Sequence, residues 1–149
     1  MSDSSENTCA AKQLMNEMKA SCSQAIFATF GPYMGEKGVD VETCMKIASA
    51  FSGGINLTGN VCGALTGALM AIGLEVGDEN PMNPKVSEIS TRLLEEFKAI
   101  NGSILCQDLI QYDGGTDGVD MMKAFESGAF DKCLKYVEDV SKLLTTYIE

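Results

Sequence analysis

Six cysteines and no histidine set the chemistry open to this 149-residue chain. Without an imidazole there is no Ser/His/Asp or Cys/His triad, no His-ligated haem and no mixed Cys/His zinc site. Chemistry falls to cysteines, carboxylates, lysines, tyrosines or a bound cofactor. Cys9, Cys22, Cys44, Cys62, Cys106 and Cys133 contain no CxxC pair. That excludes a thioredoxin-style motif, a zinc ribbon and ferredoxin-type spacing. A shared sulfur site has to be assembled by folding from separate elements. The plain alternative is that scattered cysteines serve as small buried hydrophobes.

The stretch Ser52 to Leu74, SGGINLTGNVCGALTGALMAIGL, is the most telling. A loop with Gly53, Gly54 and Gly59 runs into an apolar helix, with Asn60 or Thr58 as its expected N-cap. Cys62 then falls in the first turn, where free amides and the helix dipole favour a thiolate. Cysteines so placed have pKa values lowered into roughly the 3.5–7.5 range. Cys22 and Cys106 follow capping candidates Ser21 and Ser103, and Cys133 follows Asp131. Helix N-termini converging on one spot would make an electropositive pocket suited to thiolates, an anionic cluster or a phosphate. Gly63, Gly67 and Ala71, at spacing four, leave one side of the helix bare for close approach of a neighbour. On that reading the cysteine beside them is structural.

The elements that must position these residues read as helices. TCAAKQLMNEMKA has helical spacing from Thr8 to Ala20, with residues 1–7 a flexible N-terminus. Ser21 or Ser23 caps a second helix that Gly31-Pro32 ends. Asp40 caps a third, with Val41, Cys44, Met45, Ala48 and Phe51 on its buried face. The Cys62 helix stops near Gly73 or Gly77. Asn83 precedes a helix opening on Pro84, whose stripe is Val86, Ile89, Leu93, Phe97 and Ile100, closed by Asn101-Gly102. A short helix carries Cys106, and Gln111 to Asp120 form a glycine–aspartate loop. The last helix runs from about Phe130 to Tyr147. No stretch alternates for long at period two, so the class is all-α: one domain over 8–149, a compact bundle of six to seven helices around one core.

Twenty-one acidic against eleven basic residues give a net charge of −10, a poor match for nucleic acid or anionic membrane. The N-terminus lacks the features of a signal peptide. The run Val61 to Leu74 is too short to span a bilayer, so the Gly63/Gly67 pair is not a membrane dimerisation motif. A reducing cytoplasm is the expected compartment. Asp113, Asp117 and Asp120 miss the EF-hand spacing, and the Gly53–Gly59 loop lacks the GK[ST] ending of a phosphate loop. The methionines, Met121 and Met122 among them, read as core filler.

With Cys62-Gly63-Ala64-Leu65-Thr66-Gly67 and the preceding FSGG, the chain resembles the C_GCAxxG_C_C family of redox proteins. The family's other cysteines match Cys22 in CSQAIF, Cys106 in GSILCQDL and Cys133 in DKCLKYV, over roughly residues 20 to 145. The domain also resembles the non-haem part of split-Soret cytochromes, whose cysteines are associated with an iron–sulfur cluster. No CxxCH is present, so only the cysteine module carries over. The resemblance implies a redox or electron-transfer function at Cys22, Cys62, Cys106 and Cys133. These would hold an iron–sulfur cluster or zinc, or cycle between dithiol and disulfide. The loop from Gly53 and Gly54 to Gly63 would supply amide donors to a cluster. Cys9 and Cys44 lie outside the pattern and read as packing residues. The competing expectation is a non-enzymatic helical interaction module, with a homodimer through an apolar helix face as one form of it, whose cysteines are buried and dispersed. A third is a phosphate or small-molecule site over the Cys62 helix start. The redox partner is not legible.

Overall fold

The computed structural model describes residues 4–36, 38–110 and 128–148. Seven α-helices lie among them: α1 (Ser4–Asn16), α2 (Cys22–Phe30), α3 (Val41–Ile47), α4 (Gly63–Val76), α5 (Pro84–Asn101), α6 (Cys106–Ile110) and α7 (Cys133–Ile148). Short 3-10 turns cover Gly31–Tyr33 and Ala129–Lys132. The described residues contain no strand, and the all-α class holds. The glycine–aspartate loop, its three aspartates and Met121 and Met122 lie outside the described residues.

Several helix ends follow from local chemistry. Ser21 caps α2, and its amide donates to the Gln24 side chain at 3.0 Å, half of a capping box. Asp40 caps α3, accepting from the Thr43 amide at 3.1 Å. Asn83 caps α5 by accepting from the amides of Lys85 and Val86, with Pro84 at the first helical position. Gly102 closes α5 at φ 87°, a left-handed turn only glycine adopts without strain.

Other boundaries differ from the sequence reading. α1 begins at Ser4 rather than Thr8 and ends at Asn16. Met18 then takes φ 56°, reversing the chain before α2. α3 stops at Ile47, and the chain turns through residues 48–50. On α5 the buried stripe narrows to Leu93 and Phe97, while Ile100 is 55% exposed. A polar network closes that end instead: Lys135 donates to Asn101 at 2.8 Å and to Asp139 at 2.7 Å.

The core centres on α2, α4 and α7. Phe30, Ile26, Leu65, Ile72, Leu93, Phe97, Val137, Val140 and Leu144 are fully or almost fully buried. α2 and α4 make the most extensive helix pairing, and the bare face of α4 explains it. A Cβ on Gly67 would stand 2.6 Å from the Ser23 carbonyl and 3.2 Å from Ile26 Cβ. The small-residue stripe thus lets the start of α2, with Cys22, lie directly on the start of α4. Ser23 Oγ donates to the Ala48 carbonyl at 2.9 Å and Gln24 to that of Met45 at 3.0 Å, tying α2 to α3 as well.

Candidate functional site

Each of the four cysteines picked out by the sequence stands at a helix start. Cys22, Cys106 and Cys133 are the first residues of α2, α6 and α7. Cys62 is itself the N-cap of α4, so the expected cap at Thr58 or Asn60 is displaced. The reason lies in a contact with a distant segment. Val61 pairs with Leu105 in an antiparallel bridge, where Cys62 N–H donates to the Ile104 carbonyl at 2.8 Å and Cys106 N–H to that of Asn60 at 2.6 Å. Extended backbone at Asn60 and Val61 postpones the helix to residue 63. The same bridge sets Cys62 and Cys106 beside one another, 44 positions apart in sequence. Ser103 serves this segment through the Leu105 amide, at 3.0 Å, and Asp108, at 2.8 Å, rather than as the cap of α6.

The loop between α3 and the bridge is a left-handed turn. Gly53, Gly54, Ile55, Asn56 and Leu57 all have positive φ, from 48° to 72°. For the non-glycine residues this costs roughly 1–2 kcal/mol each, a local strain of the kind found near functional sites. It places backbone where side chains would not fit. A Cβ on Gly54 would stand 2.8 Å from Cys106 Cβ, and one on Gly63 would collide with the Cys22 sulfur. The turn also carries Leu57 onto Cys106, Ile110 and Cys133.

Burial governs the ionisation of all four thiols. Burial pushes the Cys22 thiol up, opposed by the amides of Gly53, Ser23 and Gly63, which face its sulfur. Burial also raises Cys62, and charge on Cys22 and Cys106 adds to the effect. The amides of Ala64 and Leu65 pull the other way. Cys106 is pushed up to about 12 by burial and then by charge on Cys22. Cys133 is raised by burial, then by Cys22, Cys62 and Cys106 in turn. The expected lowering of the Cys62 thiol is therefore overturned. Removing a thiolate from water outweighs the helix dipole, and four neighbouring sulfurs resist carrying charge together. Such a set ionises when a cation takes the place of its protons.

Tyr136, which the sequence reading passed over, belongs to this neighbourhood. Its phenol is raised by burial and then by Cys133, Cys62 and Cys106. Its hydroxyl donates to the Leu109 carbonyl at 2.6 Å, and its ring meets Phe97 edge-on at 6.0 Å. A tyrosine one turn after a cysteine near a chain end is the only signal the sequence offers for it.

Cys44 and Cys9 stand apart. Cys44 is buried and its thiol donates to the Val39 carbonyl at 3.5 Å, with Asp40 as its charged neighbour. Cys9 is exposed on α1. All six cysteines are free thiols. Among the described residues no group of three or more Cys, Asp or Glu side chains is placed to hold a metal ion. A cleft of about 730 Å³ opens over the site, its wall including Cys22 and Cys133 with Met15, Met18, Leu57 and Leu134. Among the described residues no helix is long and apolar enough to cross a membrane.

No curated protein and no solved structure matches the chain. A family profile described as "Putative redox-active protein (C_GCAxxG_C_C)" matches residues 20–147, which takes in Cys22, Cys62, Cys106 and Cys133 and most of the chain. The chain belongs to the C_GCAxxG_C_C family.

Proposed function

We propose that Cys22, Cys62, Cys106 and Cys133 act as one cysteine-based redox site, and that its resident group is an iron–sulfur cluster. The observation that carries this reading is the convergence of four helix starts: the Val61–Leu105 bridge sets Cys62 beside Cys106, Cys106 and Cys133 share one small apolar cluster, and Gly63, next to Cys62, lies against the Cys22 sulfur. The donor chemistry fits the group. Cluster sulfurs and their thiolates are stabilised by surrounding amides, and the amides of Gly53, Gly63, Ala64 and Leu65 face two of the four cysteines. Gly54 and Gly63 keep the space beside Cys106 and Cys22 free of side chains.

In that role the four cysteines are ligands, the glycine amides are hydrogen-bond donors to sulfur, and Tyr136 holds α6 against α7. Bound there, a cluster supplies one-electron transfer. An electron carrier of this kind needs a redox partner, and a cytoplasmic setting suits its free thiols. A dithiol/disulfide cycle is the second reading, favoured by Cys22 and Cys133 lining the same cleft.

The test is anaerobic purification followed by a visible spectrum and measurement of iron and acid-labile sulfide per chain. A brown protein carrying both, whose colour is lost in Cys62→Ser, supports the cluster. A colourless protein that stays free of iron and sulfide after reconstitution with ferrous iron and sulfide overturns it.

A further inference from the structure

We propose that the cleft over Cys22 and Cys133 binds a low-molecular-weight disulfide, and that these two cysteines reduce it when the site is cluster-free. The inference rests on reading the four cysteines as one redox site and gives that site a substrate class. Its first support is an asymmetry among the sulfurs. Cys22 and Cys133 line the cleft, whereas Cys62 and Cys106 do not, and of the four only Cys22 is more than marginally exposed. Leu57, held in its left-handed turn, lines the cleft and packs against the small cluster of Cys106, Ile110 and Cys133.

The cleft also has the right size and character. Small-molecule sites run to roughly 300–1,000 Å³ and combine apolar walls with a few polar groups. Here the volume is about 730 Å³, with Met15, Met18, Leu57 and Leu134 as apolar wall and Ser21 and Gln24 as polar points. Two thiols on one wall recognise a disulfide by reacting with it.

The reaction balances without a further reagent. One cysteine thiol, whose ionisation burial opposes, gives its proton to hydroxide from solvent and attacks a sulfur of R–S–S–R, the substrate S–S bond breaks, and the departing RS⁻ takes a proton from water. The second cysteine then attacks the protein sulfur of the mixed disulfide, and a second RSH leaves. The two thiols lose two electrons and two protons to the substrate and end as a Cys22–Cys133 disulfide.

The experiment uses the full chain with Cys9→Ser, reduced and stripped of metal under nitrogen, and 2-hydroxyethyl disulfide as the probe. Expected are two equivalents of 2-mercaptoethanol per chain, a mass lower by two hydrogens, and one cross-linked peptide pair joining Cys22 to Cys133. Asn16→Trp places an indole at the cleft wall from an exposed helix end and should slow the exchange about tenfold, the equivalent of about 1.4 kcal/mol in barrier. A cross-link through Cys62 or Cys106, or an unchanged rate in Asn16→Trp, overturns the proposal. The small oxidant diamide separates the two levels. Pairing by diamide but not by 2-hydroxyethyl disulfide sinks the cleft alone, while no pairing of any of the four sulfurs by diamide sinks the shared redox site beneath it.

Discussion

The Tyr136 hydroxyl donates a 2.6 Å hydrogen bond to the Leu109 carbonyl, so the helix that opens with Cys133 holds the one that opens with Cys106. α6 has only five residues, three of them buried, and the Tyr136 bond ties it to α7. Tyr136→Phe keeps the ring against Phe97 but removes the buried hydrogen bond to the Leu109 carbonyl, which costs about 0.5–1.5 kcal/mol. Urea denaturation reads the loss. Faster alkylation of Cys106 than in wild type, with Cys9 unchanged, reports the freed helix.

Two glycines of α4 give opposite expectations. A Cβ at Gly63 meets the Cys22 sulfur, whereas one at Gly73 meets nothing within 4 Å. Gly63→Ala should push α2 away, lower stability by about 1–3 kcal/mol and reduce iron and sulfide per chain. Gly73→Ala should raise stability by roughly 0.5–1 kcal/mol, because a helix-interior glycine loses more backbone freedom on folding than alanine does. Equal effects of the two substitutions in a paired denaturation and iron assay would contradict this packing.

The fold was largely legible because its signals are local. Apolar spacing and the caps at Ser21, Asp40 and Asn83 need only near neighbours, and the structure keeps all three. What was not legible depends on distant contacts. The bridge of Val61 to Leu105 moves the start of α4 to Cys62, and neither NVC nor ILC announces a strand. FSGG hinted at a turn, but three non-glycine residues continuing it into the left-handed region follow from tertiary packing of Leu57. The sign of the Cys62 shift depends on distant contacts in the same way. The dipole is visible in the sequence, and the burial that outweighs it is not.

The left-handed turn makes its own prediction. Ile55 has φ 65° with a side chain 42% exposed, a conformation in which a β-branched residue is an outlier. Exchanging an isoleucine for glycine ordinarily destabilises a protein. Here Ile55→Gly should cost nothing or gain up to about 1 kcal/mol, since relief of the strain offsets the lost contact. A drop of several kcal/mol in the urea titration would place the strain elsewhere.

Acid should loosen the ends of α3 and α5 first. The Thr43 hydroxyl and amide hold the Asp40 carboxyl below the usual carboxylate range, and Asn83 and the Asn80 amide do the same for Asp78. A depressed folded pKa contributes stability that is present above the unfolded value of about 3.9 and lost as pH falls through the folded one. Stability measured from pH 5 to pH 2.5 should decline, and the decline should be shallower in Asp40→Asn and Asp78→Asn than in wild type. Slopes identical to wild type in both variants would show that other carboxylates govern the acid limb.

The six cysteines should divide four and two. Cys44 is buried, bonded to the Val39 carbonyl and pressed close to Gly31, remote from the charges that couple Cys22, Cys62, Cys106 and Cys133. Cys44→Ala should therefore lower stability by about 1–2 kcal/mol through lost packing while leaving iron, sulfide and the visible spectrum as in wild type. Cys9→Ser, on the exposed side of α1, should change neither. Serine at 22, 62, 106 or 133 should reduce iron and sulfide together. The stability of the metal-free protein separates the roles, because a purely structural cysteine would change stability and loading in step. If Cys44→Ala lost the cluster while Cys106→Ser kept it, the coupling among the four helix-start sulfurs would not be the basis of the site.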